Sequence, residues 1–155
     1  MYALNYIKNI LRSITSINAR WINNTAVLFK YLFLESDLQV YHLNLNENKF
    51  EDIGFQHVLE AIKNSPSNDI RVIRCNSNNL TSISSIRLAH LLKRSKGRLP
   101  IIKLQILTLR DNNLGDMGIE TISTFLKKNN TIKYLDLAFN NLGDSALESI
   151  SEGLK

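Results

Sequence analysis

An eleven-residue pattern occurs four times along the chain, each time without gaps. It reads VYHLNLNENKF from Val40, IRVIRCNSNNL from Ile70, LQILTLRDNNL from Leu104 and IKYLDLAFNNL from Ile132. Apolar residues occupy the first, fourth, sixth and eleventh places, and asparagine occupies the ninth. Successive starts are 30, 34 and 28 residues apart. Self-similarity at this period predicts a solenoid in which every repeat supplies one structural unit.

The pattern predicts a short strand followed by a turn. Residues at the fourth and sixth places, such as Leu107 and Leu109, point to the same side of a strand and are expected in the core. The ninth place lies where the chain leaves the strand, and an asparagine there can bond backbone groups of its own turn and of the adjacent one. We therefore expect a buried ladder of structural asparagines, formed by Asn48, Asn78, Asn112 and Asn140.

A helix is predicted after each strand. Asp52, Ser82, Asp116 and Asp144 recur at one place in the repeat, just before apolar residues at helical spacing such as Ile119, Ile122 and Leu126. Their side chains are predicted to be N-caps. Each unit is then a strand, a turn and a helix.

These units, with the turns LGDMG at Leu114 and LGDSA at Leu142, resemble leucine-rich repeats of the ribonuclease-inhibitor type. The resemblance covers residues 38 to 155. It implies an α/β leucine-rich-repeat solenoid, a segment of a horseshoe with a concave parallel β-sheet and convex α-helices. It also implies binding of a protein on the concave face, with inhibition of that protein as the expected result.

The N-terminal part fits the pattern less well. ITSINARWINN from Ile14 matches it through Ile14, Ile17 and Ala19, although Asn23 falls one place late. We predict one domain over 1–155, with four regular repeats in 38–155. Residues 1–37 are then an irregular repeat, with a strand from Ile14 and a helix over 24–36, preceded by a capping helix over 3–12.

The outward-facing places of the strands define a candidate binding surface. One such residue per strand gives a column across the sheet, at the third, fifth, seventh and eighth places of the repeat. The predicted partner-binding residues are Arg20, Trp21, His42, Asn44, Asn46, Glu47, Val72, Arg74, Asn76, Ile106, Thr108, Arg110, Asp111, Tyr134, Asp136 and Phe139.

The composition of this surface favours a protein partner. Apolar and aromatic side chains held on an exposed sheet are typical of interface hot spots. The charges are mixed in sign, whereas nucleic-acid affinity rests on a basic track. We expect a protein partner, an enzyme that is inhibited when a functional site is covered, and a monomer in the absence of that partner. The alternative is a scaffold or adaptor.

A basic connection offers a different function. The net charge is +5, and KRSKGRLPIIK, from Lys93 to Lys103, is longer than the corresponding segment of the third repeat. Gly97 and Pro100 predict an irregular loop. It is a solvated insertion or, as an alternative function, a site for RNA or an anionic membrane.

No set of residues predicts catalysis. His42, His57 and His90 lie on different predicted elements without the spacing of a zinc site. Cys75 occupies a sixth, core-facing place, where a buried thiol is expected rather than a nucleophile. We expect no enzymatic activity, no metal and no cofactor.

The single cysteine cannot form an internal disulfide, which favours a reducing cytoplasm. The longest apolar stretch, Ala26 to Leu34, contains Lys30 and is too short to span a bilayer. The bias toward Asn, Ile and Lys is similar to that of leucine-rich-repeat effectors which intracellular bacterial pathogens deliver into the host cytosol.

Overall fold

The computed structural model describes residues 16–18, 40–64, 69–92 and 103–154. Five short parallel strands form one sheet in sequential order, with β1 at one edge and β5 at the other. The strands are β1 Ser16–Asn18, β2 His42–Asn44, β3 Val72–Arg74, β4 Ile106–Thr108 and β5 Tyr134–Asp136. Four helices follow β2 to β5 in these ranges: α1 Glu51–Asn64, α2 Ser82–Leu92, α3 Gly115–Leu126 and α4 Asp144–Gly153.

The register of the sheet is the one predicted by aligning the repeats. Third-place residues pair across all five strands, beginning with Ser16 beside His42 and ending with Ile106 beside Tyr134. Fifth-place residues also pair between neighbouring strands, beginning with Asn18 beside Asn44 and ending with Thr108 beside Asp136. The irregular segment from Ile14 therefore supplies a strand in the expected register, although its sequence matches the repeat only in part.

Fourth- and sixth-place side chains form the core with the inner faces of the helices. Leu43, Leu45, Ile73 and Cys75 are completely buried. They pack with helical residues such as Phe55, whose side chain is also inaccessible. This burial supplies the main favourable free energy of folding.

The last coil is less well covered than those before it. Leu135, on β5, and Leu137, just after it, are only partly buried. β5 is an edge strand, since no other described strand lies beyond it. Leu147 and Leu154 of the last coil are largely exposed.

The predicted asparagine ladder is present at Asn78, Asn112 and Asn140, whereas Asn48 is only partly buried and donates to the Leu45 and Asn46 carbonyls of its own coil. The Asn112 side-chain oxygen accepts hydrogen bonds from the backbone N–H groups of Asn78 at 3.0 Å and Leu80 at 3.1 Å. The Asn112 amide donates to the carbonyls of Cys75 at 3.0 Å and Leu109 at 2.8 Å. One side chain therefore satisfies buried backbone groups of two coils. Asn78 and Asn140 form equivalent cross-coil bonds.

The four predicted helices exist, but the predicted N-caps are wrong. Leu114 and Gly143 are the N-cap residues of α3 and α4, and neither cap has a side-chain hydrogen bond. Asp116 lies in the first turn of α3, and Asp144 is the first residue of α4. Asp52 likewise lies in the first turn of α1, and Ser82 begins α2.

Two of these aspartates bond the start of the following helix. Asp52 accepts hydrogen bonds from the Thr81 backbone N–H at 3.0 Å, the Thr81 hydroxyl at 2.6 Å and the Ser84 hydroxyl at 2.5 Å. Asp116 accepts from the Gly143 N–H at 2.7 Å and from the Ser145 hydroxyl. A carboxylate beside a helix N-terminus is also favoured by the helix dipole. Each aspartate thus ties one coil to the next.

These bonds favour the ionised carboxylates. Partial burial of Asp52 opposes ionisation, but hydrogen bonds from Ser84 and Thr81 outweigh it, and the pKa of Asp52 lies below its ordinary value. The hydrogen bonds from Ser145 and Gly143 lower the pKa of Asp116 in the same way.

Small residues allow the helices of successive coils to approach closely. A Cβ atom built on Gly118 would lie 2.9 Å from the Ser85 Oγ, and one on Gly153 would lie 2.9 Å from the Ser123 carbonyl oxygen. Helix α3 therefore packs against α2 through Gly118 and against α4 through Gly153. The spacing of the helices can follow that of the strands because the glycines contribute no side chain at these two contacts.

Some predicted segments lie outside the described residues. These are the helices over 3–12 and 24–36 and most of the basic connection, from Lys93 to residue 102. Lys103, at its end, is exposed.

We expect Asn112→Ala to lower the free energy of unfolding by about 3 kcal/mol, because buried donors and acceptors of two coils lose their partners together. Urea denaturation measures the change. Asn130→Ala, at an exposed position, is the control and is expected to have little effect. A loss from Asn112→Ala no larger than that of the control would contradict a stabilising ladder.

We expect Asp52→Asn to cost about 1 kcal/mol at neutral pH, since the charged hydrogen bonds are weakened. The folded pKa of Asp52 is depressed, so its contribution is complete above the ordinary value of 3.8 and disappears as the pH falls through the lower folded value. The difference in the free energy of unfolding between wild type and variant is therefore constant above the ordinary pKa and becomes smaller as the pH falls below it. Denaturation curves over a pH series test this, with exposed Asp144→Asn as control.

Candidate functional site

The outward side chains of the strands differ in how much surface they offer. His42, Arg74 and Tyr134 are exposed, and Tyr134 retains 55% of its accessible surface. Val72 and Thr108 are each only 6% exposed. The expectation that these two side chains are exposed on the face is wrong. Adjacent strands lie only about 4.8 Å apart, so a short outward side chain can be buried between longer ones. Asn44, Ile106 and Asp136 are partly buried.

The eighth place of every described repeat adopts a left-handed backbone conformation. Glu47, Ser77, Asp111 and Phe139 have φ values of 59°, 54°, 55° and 56°. This conformation costs roughly 1–2 kcal/mol for a residue with a Cβ atom, and it is rare for an aromatic residue. The sharp turn that follows each strand imposes it, and it directs these side chains to the rim of the concave face.

Phe139 and Arg110 form the most distinctive contact on this rim. The Arg110 guanidinium carbon lies 4.3 Å from the centroid of the Phe139 ring, a cation–π geometry. The Phe139 side chain is nevertheless 68% exposed. The pair combines an arginine, a residue type that is enriched among binding hot spots, with an aromatic ring of a type that is enriched at protein interfaces.

A shallow pocket of about 420 Å³ lies beside this pair. Seventh- and eighth-place residues form it, so it follows the carboxyl ends of the strands. Across its wall, the Ser77 hydroxyl donates to Asp111 Oδ2 at 2.7 Å. Its lining consists of Asn46, Glu47, Asn76, Ser77, Arg110, Asp111 and Phe139. All of them occupy outward-facing places, and all except Ser77 are among the predicted partner-binding residues.

Asn46 and Asn76 have a structural role that the repeat pattern alone did not predict. The Asn46 side-chain oxygen accepts the backbone N–H of Asn76 at 2.8 Å, and the Asn76 oxygen accepts that of Arg110 at 3.0 Å. These bonds form a second cross-coil ladder at the seventh place. The recurrence of asparagine at that place in two successive repeats was the available signal.

The described residues do not include Arg20 and Trp21, the predicted members of the face from the irregular repeat. The predicted face residues that the structure describes therefore belong to strands β2 to β5 and to the turns that follow them.

Cys75 is not placed to act as a nucleophile. Its side chain is completely inaccessible, and burial raises the pKa of the Cys75 thiol far above its ordinary value. In the described part of the chain, no group of three or more His, Cys, Asp or Glu side chains could hold a metal ion. His57 instead lies 3.9 Å from Glu60 on the surface of α1.

Comparison with known proteins agrees with this geometry. The family model described as "Leucine Rich repeat" matches residues 102–123 and 128–151, which include β4 with most of α3 and β5 with most of α4. The fold is an α/β leucine-rich-repeat solenoid. No curated protein matches the sequence.

Solved structures support the same fold. The leucine-rich-repeat chain titled "Leiomodin-1 Actin-Binding Site 2 (ABS2)" superposes with a TM-score of 0.62 at 16% sequence identity. The match covers 99% of this chain and 88% of that one. Among the residues that the structure describes, none forms a helix long and apolar enough to cross a membrane.

We expect Cys75 to react with an accessible-thiol reagent only after unfolding, because the thiol is buried and the thiolate is disfavoured. Labelling of the native and urea-unfolded protein, followed by mass spectrometry, measures this. Rapid labelling of the native protein would restore Cys75 as a candidate nucleophile.

Proposed function

We propose that this chain is a non-catalytic module that binds a protein partner on its concave face. The observation that carries the proposal is the exposed Phe139 ring stacked on Arg110, at the rim of a face that also exposes Tyr134 and Arg74. Large rigid aromatic side chains and arginines give much binding energy for little loss of conformational entropy.

The rigidity of the face supports the same proposal. The asparagine ladders and the cross-coil aspartates fix each strand relative to the next. A surface that is already ordered loses little entropy on docking. The leiomodin-1 chain, titled as an actin-binding site, is a leucine-rich-repeat solenoid whose title names a protein ligand.

We further propose that binding inhibits the partner, an enzyme, by covering a functional site. A concave surface of several strands can bury roughly 800 Å² of a partner, which is sufficient for a stable complex and for blocking an active site. A scaffold or adaptor would use the same face without loss of the partner's activity. Assaying the captured partner with and without this chain separates the two.

The subclass, the cellular location and the oligomeric state are also part of the proposal. We place the chain in the ribonuclease-inhibitor-like subclass because helices, rather than extended segments, cover the convex side of each described regular coil. We assign it to a reducing cytoplasm, including that of a host cell, because its single cysteine is free and buried in the core. We expect a monomer in the absence of the partner.

Affinity purification with wild type and an Arg74→Glu, Tyr134→Ala double variant tests the proposed face. We expect the variant to recover about tenfold less of each specific partner, or still less, since it reverses one exposed charge and removes an exposed aromatic ring. Quantitative mass spectrometry of the recovered proteins is the measurement.

The control is a Lys63→Glu, Met117→Ala double variant, which makes the same charge change and removes an exposed apolar side chain on the helical side. It is expected to retain the partners. Equal recovery of every protein by the concave-face variant and wild type would refute binding through this face.

A further inference from the structure

The fifth-place column contains a polar group without a partner. The Thr108 side chain is 6% exposed, and its hydroxyl oxygen is buried with no hydrogen-bond partner among the described residues. A buried hydroxyl without a partner costs about 1–3 kcal/mol. Because β4 could hold a β-branched apolar residue here without this cost, the hydroxyl is better explained by an occupant of the face than by folding.

Two arginines flank this hydroxyl. Arg74 is the register partner of Thr108 on β3. Arg110 follows Thr108 by two residues, so its side chain leaves the strand on the same side. From strand geometry, the Cα atoms of the two arginines are roughly 8 Å apart. Both are exposed, and neither forms an ion pair within the described part of the chain.

The contact of Arg110 with Phe139 leaves its hydrogen-bond donors available. Stacking uses the flat side of the guanidinium, while the N–H groups lie in its plane. The Phe139 ring restricts the motion of Arg110 without neutralising its charge. Arg110 is thereby positioned to form a planar, two-point contact with a carboxylate.

The carboxylates nearby are bonded to other groups. Asp136, the register partner of Thr108 on β5, accepts the backbone N–H of Ala138 at 3.0 Å. Asp111 accepts the Ser77 hydroxyl. Neither forms an ion pair with Arg74 or Arg110 among the described residues. Among the described residues, two cations without an ion pair and a hydroxyl without an acceptor thus lie together beside an exposed aromatic ring.

We propose that Arg74, Thr108 and Arg110 form a carboxylate-binding subsite, which recognises an acidic residue next to an apolar one on the protein partner. The carboxylate pairs with the two guanidiniums and gives the Thr108 hydroxyl the acceptor that it lacks. The neighbouring apolar side chain packs on the exposed part of Phe139. The chain's net charge of +5 favours approach of such an acidic segment. This inference rests on the proposed function and names the partner chemistry.

The test is an NMR titration with a short peptide of alternating glutamate and leucine. The same peptide with glutamine in place of glutamate is the matched control. We expect the glutamate peptide to shift the side-chain Nε–H signals of Arg74 and Arg110 and the backbone amide signal of Thr108. The affinity for the glutamine peptide should be lower by about tenfold or more, because charged hydrogen bonds are replaced by neutral ones.

Three variants assign the binding to the subsite. The double variant Arg74→Gln, Arg110→Gln is expected to bind the glutamate peptide with an affinity about tenfold or more below that of wild type. Arg71→Gln is the control for a lost positive charge, because Arg71 is already paired with Asp69 at 2.5 Å. It should change binding by no more than about twofold, as expected for a charge outside the site. Thr108→Val keeps the side-chain shape, so it should weaken binding without lowering the urea midpoint.

Several results would overturn the subsite. One is that Arg71→Gln weakens binding of the glutamate peptide as much as the Arg74→Gln, Arg110→Gln double variant does. That result would indicate attraction to net charge alone. Another is loss of binding only when Lys93, Arg94, Lys96 and Arg98 are neutralised. A third is tighter binding of a single-stranded RNA than of the peptide at the same two arginines. Partner capture that depends on Tyr134, together with any of these results, would leave the proposed function standing without the carboxylate subsite.

Discussion

The ninth-place asparagine is the constraint on which the described solenoid depends. Its side chain accepts from the backbone of the preceding coil and donates to carbonyls of the preceding coil and of its own, as Asn112 does between the coils of β3 and β4. An amide is suited to this because it carries an acceptor and two donors on one short side chain. A leucine at this position would leave these backbone groups buried and unsatisfied. The ladder therefore sets the spacing and the register of the coils, and through them the alignment of side chains on the concave face.

The parts of the structure that depend on one repeat could be predicted from the sequence. The strand positions, the register of β1 to β5, the buried asparagines and the existence of four helices all follow from the repeated pattern. Even the irregular strand Ser16–Asn18 was found in this way. Each of these features is determined by the residue type at a fixed place of the repeat. Because the pattern occurs four times, the same prediction is made independently from each copy.

What the sequence did not predict depends on neighbours in adjacent coils. An aspartate beside a helix start is expected to cap its own helix, but Asp52 and Asp116 bond residues of the next coil. Asn46 and Asn76 looked like surface residues because their partners are backbone groups about 30 residues away. Thr108 and Val72 occupy outward-facing places of the repeat but are buried in the sheet. Such contacts are set by the distance between coils, which a linear pattern does not contain.

The left-handed eighth place has a consequence for how a surface like this diversifies. The turn imposes the same conformation on Glu47, Ser77, Asp111 and Phe139, an acid, a hydroxyl, a second acid and an aromatic ring. Since the backbone geometry there is fixed by the coil and not by the side chain, natural selection can exchange one residue for another, at a conformational cost that is lower for an aspartate than for an aromatic ring. The position is consequently free to change its chemistry while the scaffold stays constant. A family of such solenoids can evolve new ligands one rim residue at a time.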